Sequence, residues 1–157
     1  MVELAGRTFS RVHHIAYIVR DIEESLAFYR DTLGLPVGLV LPIESDEVIV
    51  AFLEIGETKI ELVQPTSDTT GVARFLEKKG EGFHHVCFET PDVDETLADL
   101  KAKGIEIIDE RARKGAEGPV AFIHPRSCNG VLTELIEAPG GPAWDRLGYE
   151  GDPLARS

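Results

Sequence analysis

Apolar positions along the first half of the chain fall into short strand-like runs and one run with helical spacing. Residues 13–19 are rich in β-branched and aromatic side chains, which predicts a strand. A helix follows, because Asp21 and Glu24 have the spacing of a capping box and apolar residues then recur at helical spacing up to Gly34. Further strands are predicted near 37–41 and at 48–55 and 58–64.

The second half of the chain repeats the first. His13-His14-Ile15 recurs as His84-His85-Val86, and the capping residues Asp21 and Glu24 recur as Asp92 and Glu95. A glutamate in the last apolar strand of the first copy, Glu61, corresponds to Glu134 in the second. An internal repeat of this length predicts two copies of one supersecondary unit.

Each copy has the predicted element order β-α-β-β-β. In the second copy the helix is predicted over about 93–103, and the strands at 85–90, 105–109, 119–124 and 130–137. The chain is therefore predicted to be α+β. We expect a single domain over 1–138, with modules at about 11–66 and about 82–138. Residues 139–157 are rich in Gly, Pro and charge and predict an extended or poorly ordered tail.

The repeat places one His-His pair and one glutamate in each copy. Side chains alternate between the two faces of a strand, so only one histidine of each pair can face a shared site. Two imidazoles and two carboxylates form a mixed nitrogen and oxygen set, which suits Zn, Ni, Co, Mn or Fe(II) better than Ca or Mg. Any one of these residues could be structural, but the matched set favours a metal site.

Composition narrows the class of protein. The formal net charge of −12 argues against a nucleic-acid or anionic-membrane partner. There is no apolar run of transmembrane length and no apolar leader in the first residues, so we expect a cytoplasmic protein without a membrane partner. Cys87 and Cys128 lack the spacing of a metal motif.

These modules resemble the vicinal oxygen chelate superfamily, also called the glyoxalase/bleomycin resistance/dioxygenase superfamily, over about residues 11–138. Within it, the chain is most similar to the methylmalonyl-CoA epimerases. The stretches that carry the resemblance are 12–35, 52–65, 73–90 and 120–137. The resemblance implies paired βαβββ modules that form a U-shaped mixed sheet around a central metal cleft.

The resemblance also implies an enzyme and a set of site residues. The matching positions make His14, Glu61, His85 and Glu134 the expected ligands of one divalent metal ion (Co, Zn, Ni or Mn). The implied reaction interconverts the C2 epimers of methylmalonyl-CoA, with Glu134 and Glu61 as the expected proton-transfer groups. An acyl-CoA substrate and a homodimer are expected as well. One departure is Val50, which stands where some relatives have a glutamate proposed as a base.

Two other functions fit the same scaffold. One is a glyoxalase I-like lyase that acts on glutathione hemithioacetals. The other is a non-catalytic member of the superfamily that binds a small molecule. The sequence His124-Pro125-Arg126, where glyoxalases more often have an Asp-Pro-Asp-Gly turn, favours the epimerase. The metal content of the purified protein would separate an enzyme from a binding module.

Overall fold

Strands make up most of the regular structure. The computed structural model describes residues 3–4 and 7–149. Within them, no helix is both long enough and apolar enough to cross a membrane. The elements are β1 (Glu3–Leu4), β2 (Arg7–Thr8), β3 (Val12–Ile18), α1 (Ile22–Leu26), β4 (Val37–Ile43), β5 (Val48–Ile55), β6 (Thr58–Pro65), α2 (Gly71–Lys79), β7 (Gly82–Thr90), α3 (Val93–Ala102), β8 (Arg113–Lys114), β9 (Pro119–Ile123), β10 (Leu132–Glu137) and α4 (Pro142–Arg146). The predicted α+β class is confirmed.

Residues 14–85 form one compact unit. Its strands lie in the order β4-β5-β6-β3, and the first residues of β7 continue this order beside β3. The β3–β6 pair is parallel, while β4–β5 and β5–β6 are antiparallel. One sheet face packs on α1 through Leu26, Ala51 and Leu62, all nearly fully buried. The opposite face is therefore the one on which polar chemistry can be placed.

The described residues before 14 and after 85 form the second unit. Here β7, β10, β9 and β8 are neighbours in that order, and β9 pairs antiparallel with β10. One face packs on α3 through Leu97, Ala121 and Leu135. Glu134 alternates with Leu135 along β10, so its side chain belongs to the face away from α3.

The repeat extends to the hydrogen bonds that start the helices. Asp21 caps α1 by accepting the N–H of Glu24 at 2.9 Å, and Asp92 caps α3 in the same way. The last strand of each module also reaches its own helix. The side-chain oxygen of Gln64 accepts the N–H of Ile22 at 2.9 Å, and Glu137 accepts that of Val93 at 3.0 Å.

Two predicted elements differ from the structure. Residues 105–109 do not form a strand, and an isolated bridge joins Ile107 to Ile123. The Asp109 carboxylate accepts the N–H of Phe122 at 2.8 Å. A side-chain oxygen thus accepts the hydrogen bond that a backbone carbonyl would accept between two paired strands. The first helix also changes form, because α1 continues as a π-helix over Ala27–Thr32 before Gly34 ends it at φ 74°.

The sequence prediction did not include α2 or α4. Thr70 caps α2 by accepting the N–H of Ala73 at 3.2 Å.

The prediction of an extended or poorly ordered tail is wrong for residues 142–149, because hydrogen bonds attach α4 to the residues before it. The indole N–H of Trp144 donates to the Ala138 carbonyl at 2.8 Å, and the Glu137 carboxylate accepts the N–H of Ala143 at 2.7 Å. Residues 150–157 of the predicted tail lie outside the described residues.

Glu137 makes a testable contribution to stability. Its side chain is about 1% exposed, and loss of hydration raises the pKa of its carboxyl, although the N–H groups of Val93 and Ala143 oppose the change. A carboxyl whose pKa is higher in the folded state holds its proton there to higher pH. Its contribution to the free energy of unfolding therefore falls as pH rises from the ordinary carboxyl range to the raised pKa.

We predict that Glu137→Gln removes this pH dependence. The free energy of unfolding of the unsubstituted protein should fall relative to that of the variant as pH rises through this window. Urea unfolding at a series of pH values, with a chelator present, measures the difference. The exposed Glu95→Gln is the control and should run parallel to the unsubstituted protein. The prediction would be contradicted if the free energy of unfolding of the unsubstituted protein, relative to that of Glu137→Gln, stayed constant or rose with pH.

Candidate functional site

Three of the predicted metal ligands lie together in the unit formed by residues 14–85. His14 Nε2 is 3.0 Å from Glu61 Oε2 and 3.2 Å from His85 Nε2. The third side of this triangle, from His85 Nε2 to Glu61 Oε2, is 3.6 Å. All three residues are buried, with relative exposures of 3%, 8% and 5% for His14, Glu61 and His85. Three ligand-capable atoms therefore converge on one enclosed point.

Strand register brings these side chains to the same face. In the parallel β3–β6 pair, Ala16 lies opposite Glu61, and His14 is two residues before Ala16 on the same face of β3. Phe52 lies opposite Glu61 on β5, and its ring meets that of His14 edge to face at 5.9 Å between centroids. This aromatic wall keeps the polar cluster away from water on the β5 side.

The donor set fits a divalent transition-metal ion. Two imidazole nitrogens and a carboxylate oxygen are ligands that Zn, Co, Ni and Mn accept, and their mutual distances allow all three to reach one ion. A buried carboxylate is costly without a positive partner. The His14 and His85 Nε2 atoms are 3.2 Å apart, so one ion could bind both nitrogens. The three residues could therefore hold a metal ion.

Glu134 lies on β10 in the other unit and is 6% exposed. It is paired with Phe122 on β9, just as Glu61 is paired with Phe52 on β5. Both glutamates therefore have a phenylalanine as their partner on the neighbouring strand. Sequence correspondence and strand pairing both make Glu134 the counterpart of Glu61.

The second histidine of each pair has a different contact. His13 Nε2 lies 3.5 Å from Glu117 Oε2, in the loop before β9. His84 stays close to its neighbour, with its Nδ1 atom 2.8 Å from His85 Nδ1. His13 and His84 therefore each have a partner of their own, and the assignment of His14 and His85 as metal ligands stays a prediction.

One cation lies beside the cluster. Lys59 lies opposite His14 across the β3–β6 pair and two residues before Glu61, which places it on the same face. Its ammonium group is 3.7 Å from Glu54 and 5.8 Å from the centre of the Phe52 ring. The alternation in Lys59-Ile60-Glu61 places Lys59 and Glu61 on one face from the sequence alone.

Val50, which stands where some relatives have a glutamate, is buried in β5. It is 1% exposed and lies opposite Val63 in the β5–β6 pair. A carboxylate at this place would have been a candidate base, and the chain has a buried apolar side chain instead.

Comparisons with known proteins agree on one family. The model of the Glyoxalase/Bleomycin resistance protein/Dioxygenase superfamily matches residues 13–122. The mitochondrial methylmalonyl-CoA epimerase of Bos taurus is 44% identical over 130 residues, which are 82% of this chain and 74% of that protein.

Solved structures give the same result. A methylmalonyl-CoA epimerase in complex with methylmalonyl-CoA and NH4+ superposes with a TM-score of 0.80 at 35% identity, covering 86% of this chain and 100% of that one. A Streptomyces coelicolor methylmalonyl-CoA epimerase variant in complex with 2-nitronate-propionyl-CoA has a TM-score of 0.81 at 35% identity, covering 85% and 97% of the two chains.

The cluster predicts metal-dependent stability. With free metal at about 100 times its dissociation constant, binding to the folded state alone adds about 2.7 kcal/mol to the free energy of unfolding. A chelator should therefore lower the Tm of the unsubstituted protein. His14→Ala and His85→Ala should lose most of the bound metal and most of this chelator effect. Elemental analysis and thermal unfolding with and without chelator measure both.

The control is His124→Ala, since His124 lies outside the cluster and is partly exposed. It should keep the metal and the chelator effect. Equal metal content in all three variants would show that the ion binds elsewhere.

Proposed function

Because the chain belongs to the glyoxalase/bleomycin resistance protein/dioxygenase superfamily, we propose that it is a metal-dependent epimerase that interconverts the C2 epimers of methylmalonyl-CoA. The buried triangle of His14, Glu61 and His85 is the observation that carries the proposal. The epimerase relatives and the complexes of related epimerases with acyl-CoA compounds support the choice of reaction.

The substrate contains one proton that such a site could remove. C2 of a methylmalonyl thioester lies between the thioester carbonyl and a carboxylate, and it carries a single hydrogen. Breaking this C–H bond leaves an enolate whose charge sits largely on the thioester oxygen. Return of a proton to the opposite face of C2 gives the other epimer, so the reaction needs no redox cofactor.

We assign the metal ligands to His14, Glu61, His85 and Glu134. The first three lie together, and Glu134 is the repeat counterpart of Glu61, with the same phenylalanine pairing and similar burial. A bound divalent ion would supply Lewis-acid stabilisation of the enolate charge. Co, Zn, Ni and Mn all fit this ligand set.

Two carboxylates are assigned to proton transfer. Removal from one face and return to the other requires two groups, or one group able to reach both faces. Glu134 and Glu61 occupy equivalent places in the two copies, so a pair related by the repeat can serve opposite faces. The contacts of Glu61 with both imidazoles use Oε2, and we assign proton transfer to its Oε1. Position 50 is a buried valine, so it offers no further carboxylate for proton transfer.

The CoA part of the substrate needs positive partners despite the net charge of −12. Some cations outside the cluster already have acidic partners, since Arg113 lies 3.6 Å from Asp109 and Arg126 lies 3.6 Å from Glu106. The other cations that we consider for contact with CoA are Arg74, Lys78, Lys79 and Lys114.

The homodimer and the cytoplasmic location stay predictions.

Conversion of a single epimer tests the proposed function. Metal-reconstituted protein is incubated with one C2 epimer of methylmalonyl-CoA, and the appearance of the other epimer is followed by chiral chromatography. We expect conversion to an equal mixture, arrest by a chelator and recovery after metal is restored. Protein that contains metal but leaves the epimer unchanged would reject the proposal, and turnover of a glutathione hemithioacetal by that protein would favour the lyase.

Substitution of the two carboxylates should separate their roles. Glu134→Gln and Glu61→Gln keep a possible ligand oxygen but remove the proton-transfer group. Each should lower kcat for epimerisation by about 10²- to 10⁴-fold. Each should also retain exchange of the C2 proton with solvent in one epimer only, and the two variants should retain it in opposite epimers.

The control for these variants is Glu106→Gln, which removes a partly exposed carboxylate near Arg126. It should epimerise at the normal rate. If Glu134→Gln also turned over normally, the assignment of Glu134 to proton transfer would be wrong.

A further inference from the structure

The contact between His84 and His85 has a consequence for metal binding. Their Nδ1 atoms are 2.8 Å apart, which is hydrogen-bond distance. One ring must donate an N–H and the other must accept it, so the contact links the tautomers of the two imidazoles.

The ligand triangle decides which ring is the donor. His85 points its Nε2 atom at His14 Nε2 and Glu61 Oε2, at 3.2 and 3.6 Å. An imidazole binds a metal through a nitrogen without hydrogen, so a metal-bound His85 carries its hydrogen on Nδ1. That Nδ1–H then donates to His84 Nδ1. His84 must in turn carry its own hydrogen on Nε2.

We propose that His84 is a positioning residue for the metal site, which holds His85 in the tautomer and ring orientation that the ion requires. The inference rests on the proposed metal site and concerns a residue to which we assign no ligand or proton-transfer role. Metal-binding histidines are generally oriented through the second ring nitrogen, usually by a carboxylate, a backbone carbonyl or water. Here an imidazole takes that place.

His84 is itself held by α2. The ring of Phe75 meets the His84 ring edge to face, with 5.1 Å between centroids. Lys79, one turn further along α2, places its ammonium group 5.5 Å from the centre of the Phe75 ring. A chain of contacts thus runs from α2 through Phe75 and His84 to His85. This gives α2 a function that the repeat does not explain, because the predicted module has no such helix.

Metal affinity tests the role directly. His84→Phe keeps an aromatic ring against Phe75 but removes the acceptor, and we expect its affinity for Zn2+ to fall by about 10- to 100-fold. His84→Asn offers a side-chain oxygen near the place of Nδ1 and should recover much of the affinity. His124→Phe makes the same change at a histidine that is not part of the cluster and should bind like the unsubstituted protein. Competition with a chromogenic chelator measures all four affinities.

A spectroscopic measurement needs no variant. Nitrogen–proton correlation NMR of the zinc-loaded, 15N-labelled protein should show His85 protonated on Nδ1 and His84 on Nε2. The opposite assignment for either ring would overturn the proposal.

The outcomes also separate this inference from the proposed function. Unchanged zinc affinity in His84→Phe would overturn the positioning role while leaving the epimerase proposal intact. An unsubstituted protein that binds no zinc, cobalt, nickel or manganese would overturn both. The thermal unfolding of the metal-free variants should match that of the metal-free unsubstituted protein, and an equal loss of stability and affinity in His84→Phe and His84→Asn would indicate a merely structural role.

Discussion

The convergence of a carboxylate and two imidazoles at one buried point is the constraint on which this structure depends. Glu61 Oε2 lies 3.0 Å from His14 Nε2 and 3.6 Å from His85 Nε2, and none of the three residues is more than 8% exposed. Removing these groups from water costs free energy that a shared cation can offset. The surrounding strands supply the rigidity, because all three residues are on β-strands rather than on loops.

The internal repeat explains how such a site arises from simple local rules. In each copy an aspartate caps the helix, and a polar side chain near the end of the last strand accepts the first helical N–H. In each copy a glutamate is paired with a phenylalanine on the neighbouring strand. These contacts hold the last strand of a module in place relative to its helix, and so they set the position of the glutamate along the sheet.

The features that could be predicted from the sequence were those with a local physical signal. Asp21 and Asp92 mark helix starts because a cap is a short-range interaction, and the repeat selected Glu61 and Glu134 as a matched pair. Other features had no such signal. Residues 105–109 have a strand-like sequence, but the Asp109 side chain accepts the N–H of Phe122 on β9. The contact of His84 with His85 could not be read from alternation, since neighbours on a strand ordinarily point to opposite faces. The packing of Trp144 depends on the Ala138 carbonyl and on Gly118, where a Cβ would lie 3.0 Å from the indole.

The central claim is that one bound ion makes the C2 proton of a malonyl-type thioester removable. The most direct measurement follows loss of the C2 proton signal of methylmalonyl-CoA by NMR in deuterated water while metal is added back to metal-free protein. The account predicts that the exchange rate rises with bound metal and saturates at one ion per chain. Exchange that is absent at full metal occupancy, or that proceeds at the same rate without metal, would contradict it.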